Sequence, residues 1–419
     1  MTTSAVNTLL PAIFVALPVM DEAENISVFI SDFKQQNYKG RSFLFVCVNQ
    51  PDHWWSDPAK VAVCNRNADT LRFLGELSLP GLEVIDCSSP GKGWHGKKHG
   101  VGIARRVVMD SVVNLAKGSD LIVCLDADTR FGSGYFTSLA ATLGSNHDVI
   151  AISVPYYHNL TDDDIINRAI LRYEIYMRHY AIQMLLCGTP FHFTALGSAM
   201  VTTAAAYKKI GGITPKLSGE DFYFLQKLTK AGKVITWNPE FVYPAARFSN
   251  RVYFGTGPAM IRGAAGDWSS YPVYDKQDFD LIRKTIATFP CLYDLDLPTP
   301  MDVFLKQCFG SQIWEPLRRN STTREQFVKA CHQKIDGLRL LQFLKWMHHT
   351  KNSSDEQRLS GFIESQYGKQ TLIHLLGEHQ NFSFINSPIS LLNRVRNFLA
   401  KKEWELRQLT VNQNNISLT

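Results

Sequence analysis

Short apolar runs alternate with longer amphipathic stretches over the first 240 residues of the chain. The apolar runs have the length and composition of strands covered on both faces, and they cover residues 12–17, 43–48, 82–85, 121–125, 149–154 and 234–237. Stretches with helical periodicity lie between them, at about 24–36, 59–77, 98–116 and 165–186. This alternation predicts an α/β fold with a mostly parallel sheet and helices on both of its sides.

The strand pattern ends at about residue 275, and helical patterns follow, for example at 302–308, 324–348 and 388–409. We therefore predict two domains, an α/β domain over residues 1–270 and a mainly α-helical region over 271–419. The last helix has one apolar face and several basic residues, among them Arg394 and Lys401. That pattern fits a helix that packs on its own domain, and it also fits a helix at an anionic membrane surface.

Composition narrows the class of protein. The 419 residues are 45% hydrophobic and carry a net charge of +6, which is too small to indicate nucleic acid as a partner. The eight cysteines form no C-x-x-C pair, the N-terminus lacks the pattern of a signal peptide, and no apolar run reaches the ~18 residues of a membrane span. We expect a cytoplasmic protein, with peripheral contact at the inner face of a membrane as an option for the basic C-terminal helices.

Two carboxylates follow the fourth predicted strand in the segment LIVCLDADTRFG. Asp126 and Asp128 would share a face if the extended geometry continued past Leu125. Hard oxygen ligands suit Mg²⁺ or Mn²⁺, which bind through one or two carboxylates together with substrate phosphates. The pair therefore predicts a metal site at the sheet edge, although an acidic turn after a strand would look the same.

The segment GKGWHGKKHGVGIARR follows the third strand and opens a helix. Its glycines and its cations, which include Lys98 and Arg105, suit a diphosphate group. GKGWHG also satisfies the G-x-G-x-x-G pattern of dinucleotide-binding proteins, but it follows the third strand and not the first. A glycine turn before a solvated basic helix is the third reading.

Two further segments carry candidate chemistry. Glu220 and Asp221 stand at the start of an amphipathic helix, where the helix dipole favours acids, and a poised carboxylate there could accept a proton from an attacking hydroxyl. Arg247 and Arg251 lie in a glycine-containing segment that could form a cationic lid or a surface loop.

Taken in order, these motifs resemble glycosyltransferase family 2, which has the GT-A fold of nucleotide-diphospho-sugar transferases. The resemblance covers roughly residues 10–260 and includes the opening VALPVMDEAEN, the basic helix entry, the DAD motif, a Gly211–Gly212 turn and the E-D pair. It implies a non-processive, bacterial-type enzyme that transfers a sugar from a nucleotide-sugar donor to a glycan or lipid-linked hydroxyl, with inversion and with Mg²⁺ or Mn²⁺.

The resemblance also implies roles for individual residues. Asp221, with Glu220 beside it, is the expected general base. The expected donor-binding residues are Glu22, Asn49, Lys98, Arg105, Asp126, Arg247 and Arg251, and the expected metal ligands are Asp126 and Asp128. The chain departs from the family at Met20, Asp21 and Asn49, where Tyr, Asn and an acid are usual, so the nucleotide base stays open.

Three other functions compete with this interpretation. A sugar-phosphate nucleotidyltransferase would carry a glycine-rich basic loop directly after the first strand, where this chain has PVMDEAEN. An NAD-dependent oxidoreductase built on GKGWHG would make no use of Asp126 and Asp128. A catalytically inactive GT-A-like scaffold would keep the fold and be insensitive to the change Asp221→Asn.

Overall fold

The structure is a computed structural model that describes residues 10–96, 100–146, 148–217, 219–249, 255–349, 352–379 and 381–416. It divides into two compact units. Unit 1 is formed by Met1–Leu160 and Ala195–Pro258, and unit 2 by Thr161–Thr194 and Ala259–Thr419. The domain boundary predicted at residue 270 remains a prediction.

The described chain contains nine strands. In chain order they are β1 (Ile13–Val19), β2 (Ser42–Asn49), β3 (Leu82–Cys87), β4 (Leu121–Cys124), β5 (Arg130–Phe131), β6 (Val149–Ser153), β7 (Met200–Thr203), β8 (Lys233–Ile235) and β9 (Val242–Tyr243). All six strands predicted from apolar runs are among them.

Seven of these strands form the main sheet of unit 1, in the order β3-β2-β1-β4-β7-β6-β8. Strands β1 to β4 are mutually parallel, β6 and β8 are also parallel to each other, and β7 runs antiparallel to β4 and β6. The seven residues of β1 are all buried, as expected for a central strand covered on both faces. Strands β5 and β9 form a separate antiparallel pair.

Sixteen α-helices complete the described part of the chain. They are α1 (Ile26–Lys34), α2 (Val61–Glu76), α3 (Val101–Val113), α4 (Tyr135–Gly144), α5 (Asp164–Leu186), α6 (Ala204–Lys209), α7 (Glu220–Ala231), α8 (Thr256–Ala264), α9 (Lys276–Thr288), α10 (Asp302–Phe309), α11 (Glu315–Arg319), α12 (Arg324–Lys334), α13 (Gly337–His348), α14 (Asp355–Tyr367), α15 (Lys369–Leu376) and α16 (Ile389–Ile416).

Helices pack on the sheet of unit 1 through their apolar faces. Helix α3 lies on β1, β2 and β4, α2 lies on β2 and β3, and α4 and α7 lie on β6. Val108, Met109 and Val112 of α3 are fully buried in this layer. The predicted class, a mostly parallel sheet flanked by helices with a mainly helical C-terminal region, is confirmed.

Unit 2 is helical, and α16 packs along α5. The apolar residues Leu392, Val395 and Leu399 of α16 are buried. Arg178 of α5 pairs with Glu174 on its own helix and with Glu403 of α16 at 2.7 Å. The last helix therefore uses its apolar face inside its own unit, which is the first of the two alternatives predicted for it.

The helical stretch predicted over 324–348 is two helices. Asp336 separates α12 from α13, and its side chain accepts a hydrogen bond from the Arg339 amide as the N-cap of α13. Helical periodicity continues across this break, so the pattern of apolar residues alone did not reveal it. No described helix is long and apolar enough to cross a membrane.

Candidate functional site

The predicted site residues of unit 1 gather at one edge of the main sheet. Because β1, β2, β3 and β4 are parallel, their carboxyl ends meet at the same edge, the usual ligand-binding edge of such sheets. Glu22 follows β1, Asn49 ends β2, and Asp126 and Asp128 follow β4.

The D-x-D segment is a turn and not a continuation of the strand. Strand β4 ends at Cys124, and the amide of Thr129 donates to the carbonyl of Asp126 at 3.0 Å, which closes a four-residue turn. The condition under which the two carboxylates would share a face, extended geometry past Leu125, is therefore not met. The turn directs each carboxylate to its own arginine, Asp126 to Arg105 and Asp128 to Arg247.

Arg105 of α3 is buried and joins two predicted site residues. Its Nη2 lies 2.8 Å from Oδ1 of Asp126, and its Nη1 contacts Oε1 of Glu220 at the start of α7. Three separate segments, α3, the turn after β4 and the start of α7, are thereby held together by one guanidinium. The planar fork of arginine makes this possible, because it offers donors in two directions at once.

Burial and charge act in opposite directions on this network. Burial lowers the pKa of Arg105, but the carboxylates of Asp126 and Glu220 outweigh it and raise that pKa, so that Arg105 stays protonated. Burial raises the pKa of Glu220 to about 7, against the opposing charge of Arg105. The guanidinium touches the Glu220 carboxylate directly and favours its ionised form against this effect of burial.

Gly197 makes room for this guanidinium. A Cβ atom at Gly197 would lie 2.5 Å from Nη2 and 2.9 Å from Cζ of Arg105, closer than a real side chain permits. The segment before β7 therefore needs a residue without a side chain at this point. The sequence showed Gly197 only as one of several small residues, and nothing in the local pattern linked it to Arg105, which is 92 positions earlier.

Asp221 follows Glu220 and differs from it in exposure. The Glu220 side chain is almost fully buried, whereas Asp221 remains partly accessible to solvent. Oδ1 of Asp221 accepts a hydrogen bond from the amide of Phe222 at 2.7 Å. Burial raises the pKa of Asp221, while the charge of Arg105 lowers it, and the net shift is upward. A carboxylate with a raised pKa at a helix start is suited to accept a proton.

A second arginine joins Glu22 to Asp128. Nη2 of Arg247 lies 2.5 Å from Oε1 of Glu22 and also contacts Oδ2 of Asp128. The other carboxylate oxygen of Glu22 accepts from Nδ2 of Asn25 at 2.6 Å, which fixes its direction. Burial lowers the pKa of Arg247, but the two carboxylates raise it by more.

Asn49 is engaged within the protein on both sides of its amide. Its Nδ2 donates to the carbonyl of Val19 at 2.8 Å, and its Oδ1 accepts from the indole Nε1 of Trp94 at 3.2 Å. Beside it, Asp21 has a φ of 59°, a region that Asp tolerates better than most residues, and its carboxylate pairs with Arg66. Trp94 and Arg66 therefore hold residues at this sheet edge, and the sequence motifs did not single out either of them.

Two predicted donor-binding residues, Lys98 and Arg251, lie outside the described residues. Apart from Asn49, which contacts Val19 and Trp94, the remaining ones fall into two sets that share the sheet edge. Arg105 holds Asp126 and Glu220, next to Asp221, and Arg247 holds Glu22 and Asp128.

The donor set at this edge suits a hard divalent cation. The described residues include no group of three or more His, Cys, Asp or Glu side chains arranged to hold a metal ion. Asp126, however, is 38% exposed, and Asp128 and Glu22 already bind one cationic group, Arg247. In proteins, one or two carboxylates commonly bind Mg²⁺ or Mn²⁺ together with the phosphates of a substrate. The residues therefore fit a metal that arrives with a diphosphate.

Comparison with solved structures gives remote likenesses. TarS 1–349 of S. aureus is 11% identical over 96% of this chain and 92% of its own, with a TM-score of 0.36. The mannosyltransferase PcManGT of Pyrobaculum calidifontis, solved with GDP-Man and Mn²⁺, is 13% identical over 95% and 88%, with a TM-score of 0.34. At such TM-scores the likenesses assign neither donor nor metal to this chain. No curated protein matches it.

The sequence of the site region matches a known family. Residues 121–260 match the family model described as glycosyl transferase family group 2. The matched segment begins with β4 and contains Asp126, Asp128, Asp221 and Arg247. Residues 121–260 of this chain are therefore similar in sequence to glycosyl transferase family group 2.

Proposed function

We propose that the chain is an inverting, metal-dependent transferase that moves a sugar from a nucleotide-diphosphate-sugar to an acceptor hydroxyl. The observation that carries this proposal is the position of Asp221 beside the network of Arg105, Asp126 and Glu220. In this proposal Asp221 is the general base, and it lies next to a buried cation, Arg105, and a partly exposed carboxylate, Asp126.

In the proposed reaction Asp221 accepts the proton of the acceptor hydroxyl. The hydroxyl oxygen forms a bond to the anomeric carbon from the face opposite the diphosphate, the bond from that carbon to the diphosphate oxygen breaks, and the nucleoside diphosphate leaves. The anomeric configuration inverts because a single displacement occurs. Glu220 orients Arg105, which in turn holds Asp126 in the direction of the donor.

Asp126 and Asp128 are the proposed metal ligands. When bound, Mg²⁺ or Mn²⁺ would stabilise the negative charge that grows on the departing diphosphate. We propose that Lys98, Arg105, Arg247 and Arg251 serve the same diphosphate, and that Glu22 and Asn49 lie near the nucleoside. The amide of Asn49 already bonds Val19 and Trp94, so we propose that Asn49 positions these segments and does not itself bind the nucleoside.

The decisive experiment is calorimetric titration of the full chain with UDP, GDP and dTDP, with and without Mn²⁺. Metal-dependent binding of one nucleotide, weakened in the Asp128→Ala variant, is the expected result. Asp221→Asn should keep that binding and lose sugar transfer. Folded protein that binds none of the three nucleotides would exclude the transferase and favour a scaffold with the same fold.

We further propose a peripheral contact of unit 2 with an anionic membrane, which would bring the enzyme to a glycan or lipid-linked acceptor in cell-envelope or surface glycan synthesis. Residues 276–419 contain 19 Lys and Arg against 14 Asp and Glu. Helix α13 exposes Lys345 and Trp346 side by side, and Val303 of α10 is 63% exposed. Phe304 connects the two helices, with its ring 5.8 Å from that of Trp346. Tryptophan and lysine together favour the headgroup region of a bilayer.

A further inference from the structure

Arg247 contacts two carboxylates in the described structure, and so its guanidinium stands where a metal cation could bind. One nitrogen of its guanidinium, Nη2, touches carboxylate oxygens of both Glu22 and Asp128. These two acids come from different elements, the turn after β1 and the turn after β4. Two carboxylates that converge on one atom from separate segments would repel each other if that positive charge were removed.

From this geometry we infer that Arg247 is an exchangeable counter-ion, which occupies the cation position at Asp128 until a divalent ion and a nucleoside diphosphate arrive together. The inference rests on the proposed function, because it assigns this same site its resident charge before the donor binds.

Charge and solvent exposure support the exchange. The Arg247 side chain is 31% exposed, whereas that of Arg105 is 2% exposed, so Arg247 has solvent space to leave its partners and Arg105 does not. Glu22 is fixed by Asn25, so that it keeps its position when the guanidinium moves. Arginine binds phosphate as well as carboxylate, so the released guanidinium can pair with the diphosphate that displaced it.

This exchange makes the binding of metal and of donor cooperative. A divalent ion alone must compete with Arg247 for Asp128, and it offers the arginine no new partner. A divalent ion that arrives with a diphosphate offers that partner. In the complex the ion then pairs with Asp128, and Arg247 pairs with the diphosphate. We therefore expect the full chain to bind Mn²⁺ weakly alone and more tightly with a nucleoside diphosphate, since linkage is reciprocal.

The test is the affinity for Mn²⁺ alone, measured by calorimetry or by the electron spin resonance of the free ion, on the full chain without nucleotide. Arg247→Met should bind Mn²⁺ about tenfold more tightly than the wild type, because Arg247 no longer competes with the ion for Asp128. The same variant should bind the preferred nucleoside diphosphate with Mn²⁺ about tenfold more weakly, because the phosphate loses its arginine. Arg247→Gln serves as a second variant if Arg247→Met does not fold.

Arg130 provides the matched control. It pairs with Asp32 in unit 1 through two nitrogens, at 2.5 and 2.7 Å, and makes no contact with the D-x-D acids among the described hydrogen bonds. Arg130→Met should leave the affinity for Mn²⁺ at the wild-type value. In the Arg247→Met background, Asp128→Asn should abolish the gain.

The outcomes separate this inference from the proposed function. Metal-dependent nucleotide binding by the wild type, with unchanged Mn²⁺ affinity in the Arg247 variants, would overturn the counter-ion role and leave the transferase intact. Failure of the folded wild type to bind Mn²⁺ or any nucleotide would overturn both. Tighter Mn²⁺ binding that Asp128→Asn leaves in place would also overturn the inference, because the ion would then sit elsewhere.

Discussion

The backbone of Gly197 lies directly against the guanidinium of Arg105, so that a Cβ atom there would come within 2.5 Å of Nη2. Arg105 is buried and is held from two sides by Asp126 and Glu220. A single added methyl group in the segment before β7 should therefore act on the site itself.

Gly197→Ala should weaken binding of the nucleoside diphosphate by about tenfold or more and should destabilise the protein by roughly 1–3 kcal/mol, the usual cost of overpacking a filled interior. Calorimetric titration and urea unfolding measure the two effects. Gly144→Ala is the control, because no atom lies within 4 Å of the added Cβ at that helix end. Equal behaviour of the two variants would contradict the close contact with Arg105.

Arg105→Met should destabilise unit 1 strongly, because it leaves the buried carboxylate of Glu220 without its partner. Removal of one member of a buried ion pair typically costs about 3–5 kcal/mol. The double variant Arg105→Met/Glu220→Gln should recover part of this loss, since no unpaired buried charge remains. Urea unfolding of the two single variants and the double variant gives the coupling energy, and a coupling near zero would argue against the pair.

Asp221 should set the acidic limb of the pH profile for sugar transfer. Its pKa is raised by burial, and a general base acts only when it is ionised, so the rate should fall as the pH drops through that raised pKa. The fall should come at a higher pH than the ~3.9 of an ordinary aspartate. The measurement is kcat against pH under saturating donor and acceptor. A rate that stays constant down to pH 4 would remove Asp221 from this role.

Three histidines with lowered pKa values should make unit 2 sensitive to acid. Burial lowers the pKa of His179 and His192 to about 3 and of His332 to about 4, from an ordinary value of 6.5. The unfolded chain therefore binds more protons than the folded one below pH 6.5. Stability is complete above that pH and falls as the pH drops toward the folded-state values, by up to ~1.4 kcal/mol per pH unit for each histidine.

His179→Phe isolates one of these contributions. The imidazole lies edge-on to the rings of Phe279 and Phe362, and no described residue hydrogen-bonds either of its nitrogens. Phenylalanine should fit this place without a polar group to bury. Relative to the wild type, the variant should gain about 2 kcal/mol in the free energy of unfolding between pH 7 and pH 5. Urea titrations at the two pH values test this, and parallel losses in both proteins would refute it.

Binding to vesicles tests the proposed membrane contact. The full chain should sediment with vesicles that contain anionic lipid and remain in the supernatant with neutral ones, and salt should reverse the binding. Trp346→Ser should reduce it, whereas Leu115→Ser, at a leucine of unit 1 that is 69% exposed, should not. Equal sedimentation of both variants would move the contact away from α13.

The apolar pattern of the sequence predicted the layered architecture of unit 1. The apolar runs correspond to β1, β2, β3, β4, β6 and β8. Strands β1 and β4 are buried throughout, as expected of continuously apolar strands covered on both faces. Strand β7 was missed, since Met200–Thr203 ends in two threonines and lies in a longer small-residue segment. Helix α5 was predicted as a helix, but only the tertiary packing put it in unit 2 with α16.

The chemistry of the site divides in the same way. Residue types and their order along the chain predicted that Asp126 and Asp128 lie at the carboxyl edge of the sheet, because the carboxyl ends of parallel strands meet at one edge. The partner of each acid depends on contacts between residues about 20 to more than 200 positions apart, as with Arg247 and Glu22. Local sequence carries no signal for such pairs, so only the tertiary structure decided which arginine neutralises which acid and where Gly197 was required.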